Sequence, residues 1–237
     1  MLLAEIHGKS VAEARDAEDY LTSAVFGHLR YIPPAVFWPE LFAAALAVDK
    51  RPLSQFLPAG GTHLNVQFWP RTECGDEPDL ILTLTYPDGT TAELVIEVKL
   101  WSGKSGTDER DQLIRYLRGV PNAVLIYLTP GNPMAEIADS LGTTIARPGD
   151  AHRLFGLRWQ SLQDIARQSA ATAPPPYDRI LSDVAEFLAC MGLSGFDGWH
   201  VSPGLSNVTP TRALWATLFR TIPVNITPTP ARWTHAR

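Results

Sequence analysis

Cysteine is nearly absent: Cys74 and Cys190 stand far apart and in no zinc-ligand spacing, which excludes a disulfide framework or a zinc site as the organising device. The six histidines form no HxxxH pair. No Gly-x-Ser-x-Gly lies between a strand and a helix, and Gly103-Lys104-Ser105-Gly106 misses that spacing, so nucleophile-elbow serine chemistry is excluded. Ser102-Gly103-Lys104-Ser105 imitates the end of a P-loop, but Val98 stands where the first glycine is required. Positive charge is not in excess either. With 20 Lys and Arg against 25 Asp and Glu the formal net charge is -5, which argues against coating nucleic acid by global electrostatics. No basic-then-apolar segment opens the chain and no apolar run approaches membrane-spanning length, so a reducing, cytoplasmic setting without a membrane is expected. There is no internal repeat.

What is present is an ordinary globular composition, 45% hydrophobic and 19% charged over 237 residues, with ionisable groups planted in strands that otherwise read as core. Residues 79 to 86 and 92 to 100 are apolar, β-branched runs separated by the turn signal Pro87-Asp88-Gly89. They predict an antiparallel hairpin. A turn centred on Asp88-Gly89 brings Asp79 beside residues 97 to 99. Alternation then sends Glu97 and Lys99 to one face and Ile96, Val98 and Leu100 to the other.

Charged side chains are rarely buried unless paired or bound to metal. Two facing carboxylates repel, and a divalent cation between them relieves the repulsion. Oxygen-only ligands favour a hard ion, Mg2+ or Mn2+. The residues alone leave two readings open: such a metal site, or an Asp/Glu/Lys cluster that pairs with itself.

The order Pro78-Asp79, a strand-length spacer, then Glu97-Val98-Lys99 resembles the PD-(D/E)XK nuclease superfamily. Two neighbours sharpen the resemblance. Downstream, TDERDQLIRYL reads as a helix with Thr107 as N-cap, and its Gln112 to Tyr116 run is similar to the Gln-apolar-x-x-Tyr signature of RecB-like members. Upstream, AEDYLTSAVFGHL reads as an amphipathic helix whose Glu18 sits where such nucleases often place a further acidic ligand, with Asp16 and Asp19 as adjacent alternatives.

The resemblance implies that Glu18, Asp79 and Glu97 bind Mg2+ or Mn2+, that Asp79, Glu97 and Lys99 carry catalysis, and that Gln112 and Tyr116 orient the site or contact substrate. Lys104, on a flexible loop, is expected to hold a backbone phosphate. Arg115 is expected at the substrate as well, sharing a basic helix with Arg110 and Arg118, and Arg212, Arg220, Arg232 and Arg237 lie in a segment without acids. Salt-sensitive binding with affinity supplied by partners follows. The implied activity is hydrolysis of DNA without strong sequence specificity, in the manner of the effector nucleases of bacterial anti-phage systems. The implied partners are DNA and a protein of a defence complex, with a homo-oligomer left open. The alternatives are a catalytically silent nuclease-fold scaffold, and an RNase or branched-DNA resolvase of the same fold.

Along the chain, helices are expected over 10 to 30 and 39 to 48, the first ended by Tyr31-Ile32-Pro33-Pro34. THLNVQFW, the two motif strands, the glutamine helix and a central strand over 123 to 129 complete an α-β-β-β-α-β order. The expected class is therefore α/β, with a restriction-endonuclease-like core, a mixed central sheet flanked by helices and a C-terminal helical extension. A short helix over 132 to 141, a strand at LFGLRW and a helix capped by Ser161 follow. The nuclease-like domain is placed at 1 to 169. Residues 170 to 237 form a proline-rich connector, a helix over 177 to 191 and a tail.

Overall fold

The computed structural model describes residues 18 to 100 and 102 to 195. Residues 10 to 17, Asp16 among them, and the tail arginines lie outside that range. The described chain is α/β: α1 (Glu18–Leu29), α2 (Trp38–Ala44), β1 (His63–Phe68), β2 (Leu80–Thr85), β3 (Thr91–Val98), α3 (Gln112–Gly119), β4 (Val124–Thr129), α4 (Pro133–Leu141), β5 (Leu154–Arg158), α5 (Trp159–Ala170) and α6 (Tyr177–Cys190). The five strands form one mixed sheet in sequential order, antiparallel from β1 to β3 and parallel from β3 to β5.

The hairpin register follows from its turn. Gly89 has φ 83°, its N–H reaches Tyr86 O at 3.0 Å, and Asp88 Oδ1 accepts from Thr90 N at 2.9 Å. Leu80 consequently faces Ile96, and every even-numbered apolar residue of the pair falls on one face. Leu80, Leu82, Leu94, Ile96 and Val98 enter the larger core with residues of α1, α2, α5 and α6, while Val95, Leu125, Tyr127 and Leu154 pack with α3 and α4 on the other. This is three layers, helix, sheet, helix. α6, beyond the connector, buries Leu181, Val184 and Leu188 in the larger core.

Four local expectations shift. The glutamine helix starts at Gln112, not near Thr107: Asp108 takes φ 47°, residues 108 to 110 close a single 3-10 turn, and Asp111 becomes the N-cap by accepting Ile114 N at 3.1 Å. Asp108 and Glu109 therefore precede the helix. α2 stops at Ala44 because Ala45 is extended and Leu46 exchanges hydrogen bonds with Gly156 of β5, 3.0 and 2.8 Å, covering that sheet edge. Gly156 has no room for a side chain, since a Cβ there would stand 2.6 Å from the Pro133 ring of α4. Ser161 lies inside α5, which begins directly at Trp159 after β5. The arginine stripe is also broken: Arg110 lies outside α3, and Arg118 bonds both oxygens of buried Asp150 at 2.9 and 2.6 Å. No described helix is long and apolar enough to cross a membrane.

Candidate active site

Three segments bring ionisable groups to one point. Glu18 opens α1, Asp79 precedes β2, and Glu97 and Lys99 flank the last residue of β3. Leu80 faces Ile96, so Asp79 comes opposite Glu97. Asp79, Glu97 and Lys99 are all buried, Glu97 to 2% exposure, while Glu18 is partly exposed.

The contacts are dense. Lys99 Nζ stands 2.6 Å from Glu97 Oε1 and 3.0 Å from Glu18 Oε1. Glu18 Oε2 accepts from the backbone N–H of Leu100 at 3.0 Å and from the Ser102 hydroxyl at 3.1 Å. Asp79 Oδ2 accepts from Val98 N at 2.8 Å. Glu97 is gripped from α3, where Gln112 Nε2 donates to its Oε1 at 2.7 Å and to the Tyr116 oxygen at 2.9 Å. The amide cannot turn over freely, because Gln112 Oε1 accepts from Ser105 N at 2.9 Å. Tyr116 in turn donates to Glu77 O at 3.2 Å, tying the helix to the segment that leads into Asp79.

Electrostatics set the protonation states. Burial, reinforced by the charge of Glu97, pushes the Asp79 carboxyl well above the usual carboxylate range, against the opposing pull of the Val98 N–H and Lys99. Burial also raises Glu97, with Lys99 opposing. For Lys99 burial acts downward, yet the charges and hydrogen bonds of Glu97 and Glu18 prevail and hold the ammonium above the ordinary lysine range. Burial and the charge of Glu97 raise the Tyr116 phenol too, so it stays a neutral donor.

Glu18 and Glu97 share a single ammonium and Asp79 adds a third carboxylate held by a backbone N–H, leaving two negative charges uncompensated when all are ionised. An all-oxygen set with that deficit fits a hard divalent cation. Among the described residues no three His, Cys, Asp or Glu side chains stand grouped as a finished metal site, and the Lys99 ammonium lies between Glu18 and Glu97.

Two expected substrate contacts are otherwise engaged. Lys104 Nζ is shared between Asp111 at 2.5 Å and Asp139 at 2.7 Å, and is itself buried. Its backbone N–H donates to Glu136 Oε2 at 2.8 Å, so the loop that reads as flexible is stitched to α3 and α4. Arg115 pairs with Asp76, which lies in the segment before Asp79. The residues the sequence does not announce are Ser102, Asp111 and Trp159. Trp159 Nε1 donates to the Lys99 carbonyl at 2.9 Å, across sixty positions of sequence.

Comparison with protein-family models, curated proteins and solved structures returned no match.

Proposed function

We propose that the chain is a metal-dependent nuclease of the PD-(D/E)XK kind, built on a restriction-endonuclease-like core and hydrolysing phosphodiester bonds of DNA without strong sequence specificity. The observation that carries this reading is the convergence of Asp79, Glu97, Lys99 and Glu18 from three separate segments, with Glu97 braced by Gln112. Asp79 and Glu97, with Glu18, would hold Mg2+ or Mn2+. When bound, such an ion polarises the phosphate and lowers the pKa of a water.

The roles of the chain's own groups follow from their placement. Lys99, beside Glu97 and Glu18, serves as a positive charge for the phosphate oxygens as they gain charge. Gln112 and Tyr116 act on Glu97, not on substrate, because both are buried and their polar atoms are spent inside the protein. DNA is the proposed substrate, with a protein of an anti-phage complex as sensor and source of affinity, since Arg118 and Lys104 are already paired.

A second reading has one observation in its favour. The Lys99 ammonium already ties Glu18 to Glu97, which suits a catalytically silent scaffold that uses the cluster as a clamp. Cleavage decides between the two. Supercoiled plasmid, single-stranded DNA, branched DNA and RNA incubated with Mg2+ or Mn2+ should reveal hydrolysis by the wild type and none by a folded Lys99→Ala variant. A wild type that cuts none of them with either ion removes the nuclease reading.

A further inference from the structure

The main chain of Lys99 is held on two sides, and one of those holds lies outside the sheet. Its N–H donates to Leu128 O at 2.8 Å, the next rung after the parallel pair Val98 and Leu128. In a parallel ladder a residue that donates in this way accepts, at its own carbonyl, from the N–H two positions further along the neighbouring strand. For Lys99 that donor would be residue 130, which is proline and has no N–H. The orphaned carbonyl is met by Trp159 Nε1 at 2.9 Å.

The same peptide unit reaches the site from its other end. A trans peptide is planar, so the Lys99 C=O and the Leu100 N–H point opposite ways. The Leu100 N–H donates to Glu18 Oε2 at 3.0 Å. Fixing the carbonyl therefore fixes the donor that holds Glu18. Trp159 is fully buried, opens α5 beside the Thr129–Arg158 pair, and packs its ring 6.3 Å from Phe26 of α1, the helix that begins with Glu18.

We infer that Trp159 is a positioning residue for the nuclease site: its indole N–H replaces the rung that Pro130 cannot supply and sets the 99–100 peptide plane, which aims Lys99 at Glu97 and the Leu100 N–H at Glu18. This rests on the proposed role of Lys99. Trp159 touches no substrate and acts through that peptide.

The test separates the hydrogen bond from the bulk of the ring. Benzothienylalanine at position 159 keeps the fused-ring shape and replaces the N–H by sulfur, and Trp159→Phe is the genetic counterpart. Each should lower kcat about tenfold or more with little change in KM, and move the 13C resonance of the Lys99 carbonyl upfield in the substrate-free protein. Adding Pro130→Ala to the Trp159→Phe variant supplies an N–H at residue 130, and both kcat and the resonance should return toward wild type. The inference is overturned if the benzothienylalanine protein keeps its resonance and kcat, or if Pro130→Ala recovers neither. Should the wild type prove to cut nothing, the nuclease reading falls, while the carbonyl resonance and its recovery still decide whether Trp159 sets the peptide.

Discussion

The Lys99 ammonium and the Glu97 carboxylate, two residues apart on one face of an extended segment, meet at 2.6 Å in a buried pair. Removing one member of such a pair leaves the other uncompensated, typically at several kcal/mol. Lys99→Met should therefore lower metal-free stability by about 3 kcal/mol, read by urea denaturation. Because the variant also loses the cation that ties Glu18 to Glu97, Mn2+ should stabilise it more than it stabilises the wild type. Equal stabilisation of both would mean that the ion does not bind at these carboxylates.

Asp79 gives a pH dependence with a defined sign. Its folded pKa is raised by burial and by Glu97, so between the ordinary carboxylate range and that raised value the folded state binds more protons than the unfolded chain. Metal-free stability contributed by this group is thus present at low pH and lost as pH rises through that window. Asp79→Asn keeps an acceptor for the Val98 N–H and removes the titration, so it should flatten this part of the curve, raise the melting temperature at neutral pH and abolish cleavage. A variant that melts lower at neutral pH contradicts the buried, facing-carboxylate picture.

The part of this arrangement that lies in one hairpin was legible in the sequence, because period-two alternation and a glycine turn determine which residues face each other. That placed Asp79 beside residues 97 to 99, and the register of the folded hairpin, Leu80 against Ile96, selects Glu97 among them. The start of α3 was not legible. TDER imitates a capped first turn, while the positive φ of Asp108, together with Gly106, where a Cβ would stand 1.9 Å from Arg110 O, bends the chain away before the helix begins. Contacts made across distant elements left no local signature at all. Nothing near Lys104 announces that Asp139 will reach it from α4, and nothing near Trp159 announces the Lys99 carbonyl.

Gln112 holds Glu97 by one hydrogen bond and is itself held by Ser105 and Tyr116. Outer partners of this sort set the orientation of the groups they touch, and their loss commonly costs 10- to 100-fold in metal affinity or activity. Gln112→Ala should reduce kcat/KM by about that range, and Tyr116→Phe, which leaves the amide bonded to both Glu97 and Ser105, should cost less. Steady-state cleavage assays check the order. A larger loss in Tyr116→Phe would point to a direct role for the phenol at the substrate.

Lys104 separates a strut from a phosphate contact. Asp111 is fully buried, caps α3, accepts the Ser140 hydroxyl at 2.9 Å and takes the Lys104 ammonium at 2.5 Å, while Asp139 is mostly exposed. If Lys104 is a strut, Lys104→Met strands the Asp111 charge and should lower stability by about 3 kcal/mol. KM for DNA and its dependence on salt should stay as in the wild type. If Lys104 touches phosphate, the variant should bind more weakly and its salt slope should become shallower by about one unit. Asp111→Asn distinguishes the two further: it preserves the cap, frees the ammonium of its buried partner, and under the strut reading destabilises the protein without improving DNA affinity. Because Ser105 hands the same loop to Gln112, a slackened loop should also show as a modest fall in kcat with KM unchanged.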